Sequence, residues 1–502
     1  MENNLLDALK KQTNFIETEN GAIARSTTFN AVYDMFALAG SYRTRTDEDC
    51  IFLFKKALEN HETLTMKCLF YLRDIRGGQG ERRFFRVCFN WLAKNHPEIA
   101  RRNIANVAEY GRWDDLYCLV GTPLENEMFA FIRTQLNTDL NSFSAGENQG
   151  VSLLAKWLKS ENASSIETKE LATKTRKYLG LSHKAYRKTL SILRSRINIV
   201  EKLMSENRWN EIEFDKIPSK AGLIYRNAFA HKEIIAEKYA DFIANKQTKV
   251  NASALFPYEI VDKVSKKIQW NGSLEITETE RQTLEKYWDN QKDYLDGKKC
   301  KMMCVVDTSG SMDSTYGGSV RPIDVAISLG MYCAERIGEP FHNHFISFSS
   351  RPQLIEIEGI DFADKVRRIY NQNLCQNTDL KATFDLLKNM VLYHDVPKED
   401  LPETLIVISD MEIDHMSYWR NKTQAETEME TLRKEWAEEG LKLPHLVYWN
   451  VAARNNVILD GSRNTTYVSG CNPVIFESIL AGKKGIDLML DKLKSERYEQ
   501  VM

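Results

Sequence analysis

Apolar positions in the first half of the chain recur at helical spacing. In Phe29-Asn-Ala-Val-Tyr-Asp-Met-Phe, positions 29, 32, 33 and 36 fall on one face. The same rhythm predicts short helices over 47–60, 62–74, 81–94, 98–108, 112–120 and 124–137, joined by polar or glycine-containing links. Helices following one another in this way predict an α-solenoid of HEAT type. Residues 245–298 are rich in Lys, Asn, Thr and Glu, with Pro257 and Gly272 as breaks. After Lys299 the pattern changes. Apolar runs at 302–306, 344–348, 405–409 and 446–452 alternate with helical patterns such as 321–337 and 380–391. That alternation predicts a parallel sheet with right-handed crossovers, whose strand carboxyl ends form the ligand crevice. The expected organisation is an N-terminal segment over 1–26, a helical region over 27–297 and an α/β region over 298–502.

With 502 residues the chain is too long for one core, and 43% hydrophobic residues suffice for packed domains. The start, MENNLLDALKKQ, lacks the basic and apolar regions of a signal peptide, and no apolar run reaches a membrane span. Nine cysteines without a CxxC pair read as scattered thiols of a reducing compartment. A soluble, cytoplasmic protein with no membrane partner is expected. The formal charge of -2 excludes a uniformly basic chain, so any nucleic-acid surface must be a local patch.

The stretch MCVVDTSGSM carries the most specific chemistry. Asp307 and Asp410 each follow an apolar run, in VVD and VISD, which places both carboxylates on one rim of a parallel sheet. Ser309 and Ser311 follow Asp307 at spacing two, so an extended loop points all three the same way. Two carboxylates with several hydroxyls form an all-oxygen set suited to a hard cation, Mg²⁺ first or another divalent ion. A turn cap would account for Asp307 alone but not for the set. DTSG superficially matches an aspartic-protease motif, but that chemistry needs a second copy, and the chain has none.

Between Leu171 and Val200 stand Lys174, Arg176, Lys177, Lys184, Arg187, Lys188, Arg194 and Arg196, with no acid in the segment. Average usage would place about four acids there. Tyr178, His183 and Tyr186 interleave with the charges, a pattern suited to phosphates and unstacked bases. A solvated or acid-paired helix face is the competing reading. In RDIRGGQGERRFFR, glycines 77, 78 and 80 suit a turn between helices, and no GK[ST] follows to make a P-loop. Arg76, Arg82 and Arg83 then gather at a helix start, where the dipole disfavours them unless an anion binds. No HExxH, zinc spacing or nucleophile arrangement appears, so no enzyme and no organic cofactor are expected; His342 and His344 read as structural.

VVDTSGSM resembles the metal-ion-dependent adhesion motif, DxSxS, of von Willebrand factor A domains. The resemblance implies that Thr378, in CQNTDL, and Asp410, in VISDMEID, complete the site, with Asp379 an alternative to Thr378. It also implies that a partner's carboxylate can fill an open position on the ion. RDIRGGQGERRFFR, YGRWDDL, LAKWLKSENASS, LGLSHKAYRKTLSILR and IPSKAGLIYRNAF resemble TROVE-type modules, and the order of the two halves resembles the Ro family. That resemblance implies a helical ring closed by an A domain of Rossmann-like, mostly parallel sheet. It further implies binding of small noncoding RNA on a basic outer surface and of single-stranded RNA ends. The rival expectation is a metal-dependent protein-interaction scaffold without RNA. The oligomeric state is not legible.

Overall fold

A computed structural model describes residues 14–146, 150–197, 200–315, 318–372, 378–414, 427–459 and 464–502. The chain packs into two compact units. One joins residues 1–68 to 251–496, and the other joins 69–250 to the last six residues.

The first unit is built on a six-stranded sheet in the order β5-β4-β3-β6-β7-β8. Its strands are β3 (Met302–Asp307), β4 (His344–Phe348), β5 (Leu354–Glu356), β6 (Thr404–Ser409), β7 (His445–Asn450) and β8 (Thr465–Ser469). All neighbours pair in parallel except β4 with β5. The expected α/β class holds, with strands near the expected ranges. Every residue of β3 and β7 is buried, as in a sheet covered on both faces. The crossover helix Pro322–Arg336 starts on a proline and lies so close to β3 that a Cβ on Gly330 would sit 2.5 Å from Val306 Cγ2. Two strands of this sheet escaped the sequence reading. β5 has three residues, and β8 (TTYVS) is buried although three of its five residues are hydroxylic. The Thr466 hydroxyl bonds His445 at 2.8 Å, and the Ser469 hydroxyl accepts the Gly40 N–H at 3.0 Å, so burial leaves neither group orphaned.

The N-terminal part of this unit opens with an antiparallel hairpin, β1 (Phe15–Glu17) and β2 (Ile23–Arg25), followed by the helix Ala31–Leu38. Val32, Tyr33 and Phe36 are buried as the pattern predicts. Phe29 is not: it precedes the helix with φ 63° and is 49% exposed. The helix packs on β8, where the Tyr467 N–H donates to the Tyr33 hydroxyl at 2.8 Å.

The second unit is helical. The helix Arg82–Asn95 matches its expected range closely, and Glu125–Ser144 extends beyond it. The expected helix 98–108 is two, Pro97–Arg102 and Ile104–Tyr110, broken at Asn103. Residues 113–119 form a tighter 3₁₀ helix instead of the expected α-helix, capped where the Asp115 carboxylate accepts the Arg112 N–H at 2.9 Å. Of the three glycines in RGGQG, Gly80 alone has positive φ (69°). Gly78 is required for another reason: a Cβ there would lie 1.9 Å from the Tyr71 carbonyl oxygen. The last residues fold back into this unit. Arg497 pairs with the fully buried Asp74, which also accepts the Tyr498 hydroxyl at 3.0 Å.

Candidate functional site

β3 and β6 are neighbours, and the strand order reverses between them: β4 and β5 lie to one side, β7 and β8 to the other. A crevice opens at such a switch point, at the carboxyl ends of the strands. Asp307 ends β3, and Asp410 follows β6. Both are essentially fully buried. Asp307 accepts the Ser309 N–H on Oδ1 (2.9 Å) and the Ser409 hydroxyl on Oδ2 (2.6 Å). The Ser309 and Ser311 hydroxyls stand 3.1 Å apart. Burial first, and the negative charge of Asp410 second, push the Asp307 carboxyl well above the ordinary carboxylate range. After Asp410 the chain turns sharply through Met411, which has φ 67°.

Four of the five expected metal ligands are thus gathered on the rim. The fifth stands beside the segment that follows Asp410: the Thr378 hydroxyl lies 3.3 Å from the Glu412 carbonyl oxygen and 3.1 Å from the Asp414 carboxylate. Asp379 caps the helix Leu380–Tyr393 by accepting the Ala382 N–H at 3.0 Å. Among the described residues no cluster of three or more His, Cys, Asp or Glu stands in a ligating array. The donors that fit a hard cation are therefore two carboxylates and the serine hydroxyls, a set suited to an ion that keeps much of its water. Bound there, such an ion would supply positive charge to two buried carboxylates and attract an anionic group.

Residues that the sequence reading passed over surround the rim. Arg454, four residues past β7, places Nη2 2.9 Å from Asp410 Oδ2 and also pairs with Glu19. Glu412 accepts the Glu19 N–H at 2.7 Å and the Asn455 amide at 3.0 Å. Burial, more than any neighbour, raises its carboxyl pKa. Asn20 donates to the Glu412 carbonyl at 2.6 Å. Glu412 was visible in the alternation of VISDMEID, and Arg454 follows an apolar run as the two aspartates do. Nothing local marked Glu19.

The basic segment divides sharply. Lys174 pairs with Glu125 at 2.7 Å, and Arg176 and His183 share Glu161 at 2.8 and 3.0 Å. Arg194 donates to the Ala155 and Leu158 carbonyls at 2.8 and 2.9 Å, and Arg196 lies over the Phe143 ring. The stacking role expected of the tyrosines fails. Tyr186 is wholly buried and donates to the Lys159 carbonyl, while Tyr178 is stacked on Phe129 with Arg133 over its ring. Lys177, Lys184, Arg187 and Lys188 are exposed and form no ion pair among the described residues. The last three lie at i, i+3 and i+4 of the helix His183–Arg196 and so share a face.

The arginines of RDIRGGQGERRFFR also separate. Arg76 pairs loosely with Glu109 at 3.5 Å, and Arg83 is half-buried. Arg73, Arg86 and Arg112 converge on Asp114 and Asp115, with contacts of 2.6–3.0 Å. Arg112 also lies 3.9 Å over the Trp157 ring. Three of the motifs noted in the sequence therefore meet in one charged network. Arg82, one turn before Arg86, is exposed.

Comparison with known proteins gives the family but not the chemistry. Residues 18–143 and 126–298 match the family described as Domain of unknown function DUF2828. The chain belongs to that family. Residues 301–500 match a second domain of unknown function, DUF7788. An uncharacterized protein of Acanthamoeba polyphaga mimivirus is 28% identical over 489 residues, covering 89% of this chain and 81% of its own. The crystal structure of Deinococcus radiodurans RO (RSR) protein aligns over 93% of this chain and 99% of that one, with a TM-score of 0.46 and 11% identity.

Proposed function

We propose that this protein binds small noncoding or single-stranded RNA on the helical unit and a divalent cation, Mg²⁺ first, at the rim of the sheet, without catalysing a reaction. One observation carries the RNA reading: Lys184, Arg187 and Lys188 share a helix face and lack acidic partners among the described residues. Cations left unpaired beside four that are engaged suit an anionic track, and phosphates are the anions it would meet repeatedly. Lys177 and Arg82 would extend the contacts. Since neither tyrosine ring is free to stack, phosphate contacts would dominate, giving steep salt dependence and little sequence preference.

A filter-binding titration of single-stranded RNA at two salt concentrations tests this, with wild type and the Lys184→Ala/Arg187→Ala/Lys188→Ala variant. The variant is expected to bind more weakly for all sequences alike, with the salt slope reduced by about three phosphate contacts at most. Equal affinities and slopes would defeat the assignment and leave the rim, acting as a metal-dependent grip on an acidic protein partner, as the leading reading.

A further inference from the structure

Arg454 brings one positive charge to two carboxylates of different standing. Asp410 lies on the rim with its side chain fully buried, while Glu19 lies off the rim with its side chain 44% exposed. The turn that carries Glu19 is fixed without using its carboxylate. The Thr18 hydroxyl donates to the Ile413 carbonyl at 2.7 Å, the Glu19 N–H to Glu412 at 2.7 Å and the Asn20 amide to the Glu412 carbonyl at 2.6 Å. Gly21 bridges to Asp414. The Glu19 carboxylate is therefore held beside the rim, whichever acid Arg454 favours.

We propose that Arg454 is the counter-ion a metal must displace from Asp410, that Glu19 is the acceptor that keeps it, and that together they set how tightly a cation is held at the rim. This rests on the reading of the rim as a cation site. A monovalent ion brings Asp410 no more charge than the guanidinium does and lacks its directed hydrogen bonds. A divalent ion brings twice the charge to two buried carboxylates and gains by the exchange. The guanidinium then stays paired through Glu19, so displacement strands no cation. In the ion's absence Arg454 also offsets the cost of burying Asp307 beside Asp410.

A double-mutant cycle on the full chain tests the proposal, with Mg²⁺ and Na⁺ titrated by calorimetry into wild type, Arg454→Met, Glu19→Gln and the double variant. Arg454→Met should tighten Mg²⁺ about tenfold or more and strengthen whatever weak Na⁺ binding there is in the same direction. Glu19→Gln should weaken Mg²⁺ several-fold in the wild-type background and have no effect once Arg454 is gone. Unchanged or weaker Mg²⁺ binding by Arg454→Met overturns the proposal. So does an equal loss from Glu19→Gln in both backgrounds, which would mean that Glu19 acts on the ion through space. Should Arg454→Met fail to fold, Glu19→Gln alters one partly exposed carboxylate, and its failure to weaken Mg²⁺ is decisive alone. Absence of Mg²⁺ binding in all four proteins would overturn the cation site itself, a result distinct from the others.

Discussion

Asp307 and Asp410 show what one pair of side chains costs a fold. Both are buried, and each receives hydrogen bonds, but neither Ser309, Ser409 nor the Glu412 N–H brings a full positive charge. Only Arg454 does. Replacing Asp307 by Asn keeps the shape and removes one of the two negative charges. Mg²⁺ binding is expected to vanish at millimolar levels in calorimetry. The thermal midpoint should hold or rise, since an unpaired buried charge has been deleted. A large fall in the midpoint would instead make Asp307 a structural anchor of the β3 end.

At the scale of elements, β7 and β8 meet the helix Gly485–Leu493 through one relay. The Gly485 N–H donates to the Thr466 hydroxyl at 2.7 Å, so the hydroxyl's own hydrogen is left for Nε2 of His445, 2.8 Å away. That arrangement suits a neutral imidazole. Burial first, then Lys484, lowers its pKa to about 4. The folded value thus lies below the ordinary value of about 6.5, and the unfolded chain binds the extra proton. His445's contribution is complete above about pH 6.5 and is lost as pH falls toward 4, costing on the order of 1–2 kcal/mol at about pH 5. Denaturant unfolding at about pH 7 and pH 5 should show a smaller difference for His445→Gln than for wild type. An equal difference would place the titrating group elsewhere.

For the whole molecule, the notable feature is how far along the chain its packing reaches. The last six residues belong to the unit formed by 69–250. There Arg497 and Tyr498 satisfy Asp74, and the Asn106 amide donates to the Gln500 carbonyl at 3.0 Å. Deleting residues 497–502 should leave Asp74 buried without its cation and destabilise the helical unit by about 2–4 kcal/mol. Limited proteolysis of wild type and the deletion would show this as faster cleavage within 69–250. Unaltered cleavage would mean the tail only decorates the surface.

The sequence by itself determined most of the element types, because apolar periodicity of 3.6 or of continuous short runs is a local property of the chain. It also placed Asp307 and Asp410 at strand ends on one rim, because that placement follows from βα alternation alone. It missed β8, where hydroxyls read as polar although each buried one finds a partner. Tertiary structure decided the rest. Segment 171–200 contains no acid, yet Glu125 and Glu161 come in from elsewhere to engage Lys174, Arg176 and His183. The tyrosines that looked ready to stack are spent on packing. Glu19 reaches Arg454 across 435 residues, and Arg454 reaches Asp410 across 44. Charge pairing depends on distance in space, which falls off over a few ångströms and has no periodic trace along the chain. Local patterns therefore announce where carboxylates and cations lie, and only the packed fold decides which of them remain free to act.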